Sequence, residues 1–197
     1  MAEGFLQPSK GNMTLEEIGY GYFDDLTSRS FFQPLPKKDE DFCLEYETED
    51  VGCFVMHDLI HELATHVAGD FYFRLGEKGN KIGNKIRHLS CNFQNYPCLG
   101  HDVFVKLKGL RTFIGLDFGN IPRSIGNVSH ILSMNLKYLR TLSLRHLSAL
   151  KIVPESTGEF THLCYLDLSW TCIESLPDSI CKLKNLQVLK LCCCVNL

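Results

Sequence analysis

One spacing of leucines recurs in the second half of the chain and limits what that half can fold into. The pattern L-x-x-L-x-x-L-x-L begins at Leu136 and Leu183, and a third copy has Phe160 in its first position. The aligned positions Leu142, Leu166 and Leu189 lie 24 and 23 residues apart. A second landmark, an apolar residue followed by proline, accompanies the copies at Ile121-Pro122, Val153-Pro154 and Leu176-Pro177. A period of roughly 20 to 29 residues with this pattern is typical of stacked units, each a short strand and a returning turn.

A single unit of this kind cannot bury its own apolar face, so neighbouring copies must stack to form a continuous core. The sequence therefore predicts about four leucine-rich repeats over residues 107–197, with a parallel sheet on the concave face. Along each strand the leucines point into the core and the alternating residues point outward. The outward positions are the candidate partner-binding residues Thr141, Ser143, Arg145, Tyr165, Asp167, Ser169, Val188 and Lys190.

These outward residues contain no repeated acid–base pair and no nucleophile beside a base, so the pattern does not indicate an enzyme. Two interpretations of the face remain: a surface that binds a protein partner, or a plain solvated side of the array. The first is favoured because arrays of this kind present extended concave surfaces for binding.

The first 75 residues show helix and strand signals in place of the repeat. Thr14 and Glu17 have the spacing of a capping box, which predicts a helix that ends near Arg29. Asp58 is predicted to cap a second helix. The apolar faces predicted for these helices are Leu15, Ile18, Tyr22 and Leu26 in the first and Leu59, Leu63 and Val67 in the second.

Two short apolar runs, residues 31–35 and 51–56, predict strands on either side of an acidic segment, residues 37–50. Helix, strand, acidic tip, strand and helix is the order of the second half of a winged-helix unit. We therefore expect a mixed α/β chain in three parts. These are a winged-helix-like unit at 1–75, a connector with a first strand at 76–106, and the repeats at 107–197.

The charge of the chain is divided between its halves. Residues 1–75 carry 5 Lys or Arg against 15 Asp or Glu, whereas the remaining residues carry 15 against 8. The overall charge of −3 and the acidic segment 37–50 argue against nucleic-acid binding, because phosphates would repel that segment. We expect the acidic segment instead to lie against the basic edge of the repeats at Lys137, Arg140 and Arg145, in a contact that salt weakens.

Hydropathy and cysteine usage bear on the compartment. No run approaches the roughly 20 apolar residues that a membrane-spanning helix needs, and residues 1–10 lack the pattern of a signal peptide. The ten cysteines form no C-x-x-C pair, and several occupy apolar positions of the repeats. They are expected to be reduced and to act as small apolar side chains, which favours the cytoplasm.

A histidine cluster, His57, His61 and His66, raises the alternative of a zinc hydrolase. Such a site needs H-E-x-x-H on one helix face, but His61 and His66 are five residues apart and diverge by roughly 140° on a helix. His57 and His61 do align, yet the acid between them is Asp58 and the sequence offers no third ligand, so no metal is expected. A phosphate-binding loop, G-x-x-x-x-G-K-[ST], is also missing from the sequence.

Residues 55–64 (VMHDLIHELA) resemble the MHD motif of plant nucleotide-binding leucine-rich-repeat disease resistance proteins, which are intracellular immune receptors. Residues 1–5 (MAEGF) resemble a segment upstream of that motif, and residues 86–90 (IRHLS) resemble the strand that leads into the repeats. The likeness runs in the right order over nearly the whole chain. It is closest to the non-TIR branch, whose members usually carry an N-terminal coiled coil.

The resemblance implies a role in plant defence, namely innate immunity and the hypersensitive response. It implies that His57 lies near the β-phosphate of ADP and that Asp58 positions it, in the resting state of a nucleotide switch. ADP or ATP would bind only together with an NB-ARC nucleotide-binding domain that this chain lacks, and the isolated chain would bind no cofactor. The implied partners are a pathogen effector or a guarded host protein, and the nucleotide-binding domain that the repeats restrain.

Without that domain, and with no polar capping repeat before Leu197, the chain is expected to be a fragment or a truncated product. The alternative is a stand-alone repeat module, an adaptor or decoy that binds proteins and no nucleotide.

Overall fold

The chain forms two compact units, Gly4–Gly69 and a larger one that joins Met1–Glu3 to Asp70–Leu197. The computed structural model describes residues 3–6, 13–35, 54–75, 83–92, 107–116, 132–133 and 136–197. The acidic segment 37–50 singled out above lies outside these residues. No helix among the described residues is long and apolar enough to cross a membrane.

The smaller unit contains two helices and a hairpin. Its elements are α1 (Leu15–Ser28), β1 (Phe32–Pro34), β2 (Phe54–Met56) and α2 (Asp58–Ala68), with β1 antiparallel to β2. The predicted capping box is confirmed at Thr14, whose Oγ1 accepts from the Glu17 backbone N–H at 3.2 Å. In return, the Thr14 backbone N–H donates to Glu17 Oε2 at 2.6 Å. The sequence thus placed the start of α1 correctly because both partners of the motif are local.

An aromatic cluster holds α1 against the hairpin. The ring of Phe23 stacks on Phe32 with centroids 5.0 Å apart and meets Phe54 edge-on at 4.9 Å. The helix face predicted above is therefore partly wrong, since Tyr22 and Leu26 are exposed. Aromatic pairs across the hairpin fix the rotation of the helix, and periodicity alone does not contain that information.

The apolar stripe predicted on α2 exists but is not buried by the described residues. Leu59, Leu63 and Val67 are 68%, 56% and 74% exposed. Their spacing was read correctly as one face of a helix.

The larger unit is built on six parallel strands that pair in chain order. They are β3 (Tyr72–Leu75), β4 (His88–Asn92), β5 (Thr112–Leu116), β6 (Thr141–Ser143), β7 (Tyr165–Asp167) and β8 (Val188–Lys190). The predicted parallel sheet is confirmed. Two short 3-10 helices, Glu155–Glu159 and Asp178–Lys182, run on the return side of the last repeats.

The register aligns the inward residues of successive strands. Leu89 pairs with Phe113, Phe113 with Leu142, and Leu142 with Leu166. All four are at most 1% exposed, so each unit covers the apolar face of the one before it. The sheet continues this stacking through β3 and β4, which precede the predicted repeats. The boundary drawn at residue 75 thus falls after a strand of the sheet and differs from the observed division at residue 69.

The turn after each late strand also repeats. His146, Trp170 and Cys193 have φ angles of 65°, 60° and 56°, a left-handed conformation that non-glycine residues adopt uncommonly. Hydrogen bonds between neighbouring turns support it, because His146 N–H donates to Ser169 O at 3.0 Å and Trp170 N–H to Cys192 O at 2.8 Å. The turns are therefore stacked like the strands.

Gly158 marks the closest approach between the two 3-10 helices. A Cβ atom built on it would lie 2.6 Å from both the Cβ and the backbone O of Ser179. We expect Gly158→Ala to lower the free energy of unfolding by about 1–3 kcal/mol, because backbone must move to relieve the clash. Gly109→Ala is the matched control, since nothing lies within 4 Å of its Cβ position. Urea unfolding of both variants measures the effect, and equal stabilities would contradict the predicted packing.

Burial raises the pKa of the Cys91 thiol to about 12. The folded chain then keeps a proton that the unfolded chain releases above pH 9, so the free energy of unfolding falls as the pH rises from 9 toward 12.

Because the thiolate is the reactive form, iodoacetamide at pH 8 should modify exposed Cys192 and Cys193 but spare Cys91 until urea is added. Peptide mass spectrometry measures this, and equal native modification of Cys91 and Cys193 would refute the buried placement.

Candidate functional site

The first candidate site is the beginning of α2, where the structure corrects the predicted cap. His57, not Asp58, is the N-cap: its Nδ1 accepts from the backbone N–H of Leu59 at 3.3 Å. Asp58 is the first helical residue. The preference of aspartate for caps led to the wrong residue, because the extended backbone of His57 brings its ring nitrogen to the same N–H group.

This hydrogen bond decides which atom of His57 faces outward as a donor. A ring nitrogen that accepts carries no proton, so the neutral ring holds its proton on Nε2. His57 and Asp58 are both exposed. No hydrogen bond between these two side chains is found. Asp58 therefore acts on the site through its negative charge in the first turn, which interacts favourably with the positive end of the helix dipole.

The other histidines of the cluster do not converge with His57 on a metal position. Within the described ranges, no three His, Cys, Asp or Glu side chains lie close enough together to hold a metal ion. Thr65 Oγ1 donates to the His61 carbonyl oxygen at 2.8 Å, so the backbone of His61 lies in an ordinary helical turn. The start of α2 therefore offers one imidazole N–H donor beside a helix N-terminus.

The second candidate site is the open face of the sheet, meaning the side opposite the buried leucines. The register places Thr141, Tyr165 and Val188 in one row across the strands. The next row contains Ser143, Asp167 and Lys190, and Arg145 and Ser169 follow directly after it. The structure thus brings all eight predicted face residues onto neighbouring strands and turns.

Asp167 is the most constrained member of the open face. It is only 4% exposed; its Oδ1 accepts from the Ser169 backbone N–H at 2.9 Å and its Oδ2 from Tyr165 Oη at 3.3 Å. Lys190 Nζ lies 5.9 Å from the centroid of the Tyr165 ring. The hydrogen bonds fix the Asp167 carboxylate and the Tyr165 phenol, and the half-buried Tyr165 and Lys190 are the groups of this cluster that a polar peptide could reach.

A stacked pair at the end of the strands was missed by the sequence reasoning. The rings of His146 and Trp170 stack with centroids 5.6 Å apart, and Arg145 Nε lies 3.1 Å from His146 Nε2. The signal was present, since His146 and Trp170 occupy the same position of successive repeats, 24 residues apart. The left-handed backbone of these positions, which sets the ring directions, cannot be read from the spacing.

The capping role of His57 leads to a direct test on the helix. His57→Ala removes the acceptor for the Leu59 N–H and should weaken the first turn of α2 by about 1 kcal/mol, or roughly fivefold faster amide exchange. His57→Asn keeps an acceptor that caps well and should leave exchange near that of the unaltered chain. Hydrogen exchange of residues 59–61 measures both variants. Identical exchange in the two would mean that His57 does not cap the helix.

Comparison with known proteins adds to this geometry. Residues 1–64 match the family model described as the winged helix domain of disease resistance proteins. The chain is 36% identical over 195 residues to the disease resistance RPP13-like protein 1 of Arabidopsis thaliana, covering 96% of this chain and 17% of that protein. It is 35% identical over 169 residues to the disease resistance protein RGA1 of Solanum bulbocastanum, covering 86% of this chain and 13% of that protein.

A leucine-rich-repeat protein of Leptospira interrogans of known structure is 26% identical and covers 60% of this chain and 29% of its own, with a TM-score of 0.41. We therefore infer the repeat fold from this chain's own strand register and buried core. The chain spans 13% to 17% of the length of the two plant relatives. By the winged-helix match and the nearly full-length identity, the chain belongs to the plant disease resistance proteins of the NB-ARC leucine-rich-repeat type.

Proposed function

We propose that this chain is the part of a plant immune receptor that senses bound ADP and recognises a protein partner. His57 donates from Nε2 to the β-phosphate of ADP, and the open face of the sheet binds a pathogen effector or a guarded host protein. The chain acts by binding and not by catalysis. It works in the cytoplasm, which the free cysteines among the described residues support.

The observation that carries the nucleotide role is the cap at the start of α2. With Nδ1 engaged by the Leu59 N–H, the imidazole presents Nε2–H to an anion beside a helix N-terminus, where phosphates bind well. His57 is exposed in the smaller unit and therefore accessible to another domain. Asp58 stabilises the helix start but adds a negative charge next to it, so a phosphate would be received by His57 and not by the helix terminus alone.

The residues of this chain fit the nucleotide as one contributor among several. No phosphate-binding loop occurs in the sequence, so the triphosphate cradle and the base pocket belong to an NB-ARC domain elsewhere in the receptor. His57 would then report whether ADP is present, because its hydrogen bond joins the smaller unit to the nucleotide. The repeats restrain the same switch until a partner binds.

The open face supports the partner role through its fixed polar groups. Asp167 is held by two hydrogen bonds, and the half-buried Tyr165 and Lys190 surround it with an aromatic ring and a positive charge. Rigid aromatic and charged groups of this kind form the strongest contact points of protein interfaces.

A chimeric receptor tests the nucleotide role. Residues 1–197 replace the aligned segment of the Arabidopsis RPP13-like protein 1, and the half-time of radiolabelled ADP release is measured. His57→Ala should shorten it by about tenfold, because a hydrogen bond to a charged group contributes about 1.5–3 kcal/mol. His66→Ala is the matched control: it removes an exposed histidine from the other end of the same helix.

Equal ADP release from the His57→Ala and His66→Ala chimeras would refute the nucleotide role. In that case the stand-alone interaction module, which binds proteins and no nucleotide, becomes the better account. A chimera that retains ADP, and that releases it faster with His57→Ala but not with His66→Ala, excludes that module.

A further inference from the structure

The side-chain carboxylate of Glu3 occupies a small basic site on the open face of the sheet, at the opposite end from the predicted partner residues. Its Oε2 accepts from Arg111 Nη1, and its Oε1 lies 3.1 Å from His88 Nε2. The three side chains are between 26% and 29% exposed. Glu3 belongs to the same compact unit as the sheet, so this is an internal contact of that unit.

The sheet holds the imidazole of His88 and the backbone of Arg111 in place independently of Glu3. His88 pairs in register with Thr112, and its Nδ1 lies 3.1 Å from Thr112 Oγ1, which fixes the plane of the imidazole. The backbone N–H of Arg111 donates to the carbonyl oxygen of Arg87 at 2.7 Å. Removing the Glu3 carboxylate would therefore leave the imidazole and the backbone that carries the Arg111 side chain in position.

Positive charge continues along the amino-terminal ends of the strands. Arg87, Arg111 and Arg140 occupy the equivalent position before β4, β5 and β6, joined by successive backbone hydrogen bonds of 2.7 and 2.8 Å. Strands in a sheet lie about 4.8 Å apart, so the three arginines form a row. The Arg87 guanidinium lies over the Phe71 ring at 4.6 Å. A row of arginines along the amino-terminal ends of the strands raises the positive potential there, which favours the approach of acidic groups.

Glu3 fits this site imperfectly. Its Oε1 is closed off from solvent but makes no well-aligned hydrogen bond, although His88 Nε2 is near it. A buried acceptor without an aligned donor raises the free energy of the bound state. A carboxylate that approaches from outside, without the constraint of residues 4–6, can take a better angle.

We propose that Arg111 and His88 form a binding site for a carboxylate side chain of an acidic peptide segment in a protein partner, and that Glu3 is its exchangeable internal occupant. The flat guanidinium fork of Arg111 matches the geometry of a carboxylate, and His88 adds a second donor. This site is separate from the Asp167 region of the open face. It also stands whether or not the chain takes part in nucleotide sensing.

The test measures binding of fluorescein-labelled hexaglutamate to the 197-residue chain by fluorescence anisotropy at low salt. Glu3→Gln should tighten binding about threefold, because it removes the partly exposed ion pair in which Glu3 competes with the peptide for Arg111. Arg111→Gln should weaken binding about fivefold or more, and Arg111→Lys should fall between, since lysine keeps the charge but not the fork. Lys184→Gln, which removes the same charge from an exposed turn, should change binding less than about twofold.

Three results would overturn the proposal: equal effects of Arg111→Gln and Lys184→Gln, no tightening by Glu3→Gln, or hexaglutamine binding as well as hexaglutamate. A phosphoserine peptide of the same length that binds more tightly, with the same dependence on Arg111, would assign the site to phosphate and also overturn it. Circular dichroism checks the fold of each variant. Arg111→Lys, which keeps the side chain's charge and length, decides the matter if Arg111→Gln fails to fold.

Discussion

Parallel hydrogen bonding of each strand to the next, in an unbroken register, is the interaction on which the larger unit depends. One unit has a single strand and an apolar side that it cannot cover, so burial begins only when the next unit stacks on it. The register from Leu89 through Phe113, Leu142 and Leu166 is the result, and these side chains are removed from water almost completely. The open face, the stacked turns and the row of arginines all inherit their spacing from this register.

The same constraint explains why the functional groups occur where they do. Inward positions are reserved for apolar side chains, so variety is allowed on the outward positions, and charged and aromatic residues collect there. Asp167 is fixed by its neighbours on one end of the open face, and Glu3 is held by Arg111 and His88 near the other. The smaller unit is built differently. Capping at Thr14 and His57 sets where its helices begin, and aromatic contacts of Phe23 join α1 to the hairpin.

The strong periodic signals were sufficient to predict the repeats, the parallel sheet, the capped helix α1 and the two short strands. They were insufficient for β3, because its sequence, Tyr72 to Leu75, carries no copy of the leucine pattern and joins the sheet through backbone hydrogen bonds that any sequence can make. They misplaced the cap of α2, where the backbone of His57 outweighs the general preference for aspartate. The contact of Glu3 with Arg111 joins residues 108 apart, and no local pattern contains such a pair.

In the proposed receptor, His57 contacts bound nucleotide from the start of α2. The most direct measurement is a cryo-electron microscopy structure of the chimeric receptor with ADP, at a resolution that shows side chains. We expect His57 Nε2 at about 3 Å from a β-phosphate oxygen, with Nδ1 still engaged by the Leu59 N–H. A His57 ring turned away from the nucleotide, with another residue of the receptor at that oxygen, would contradict it.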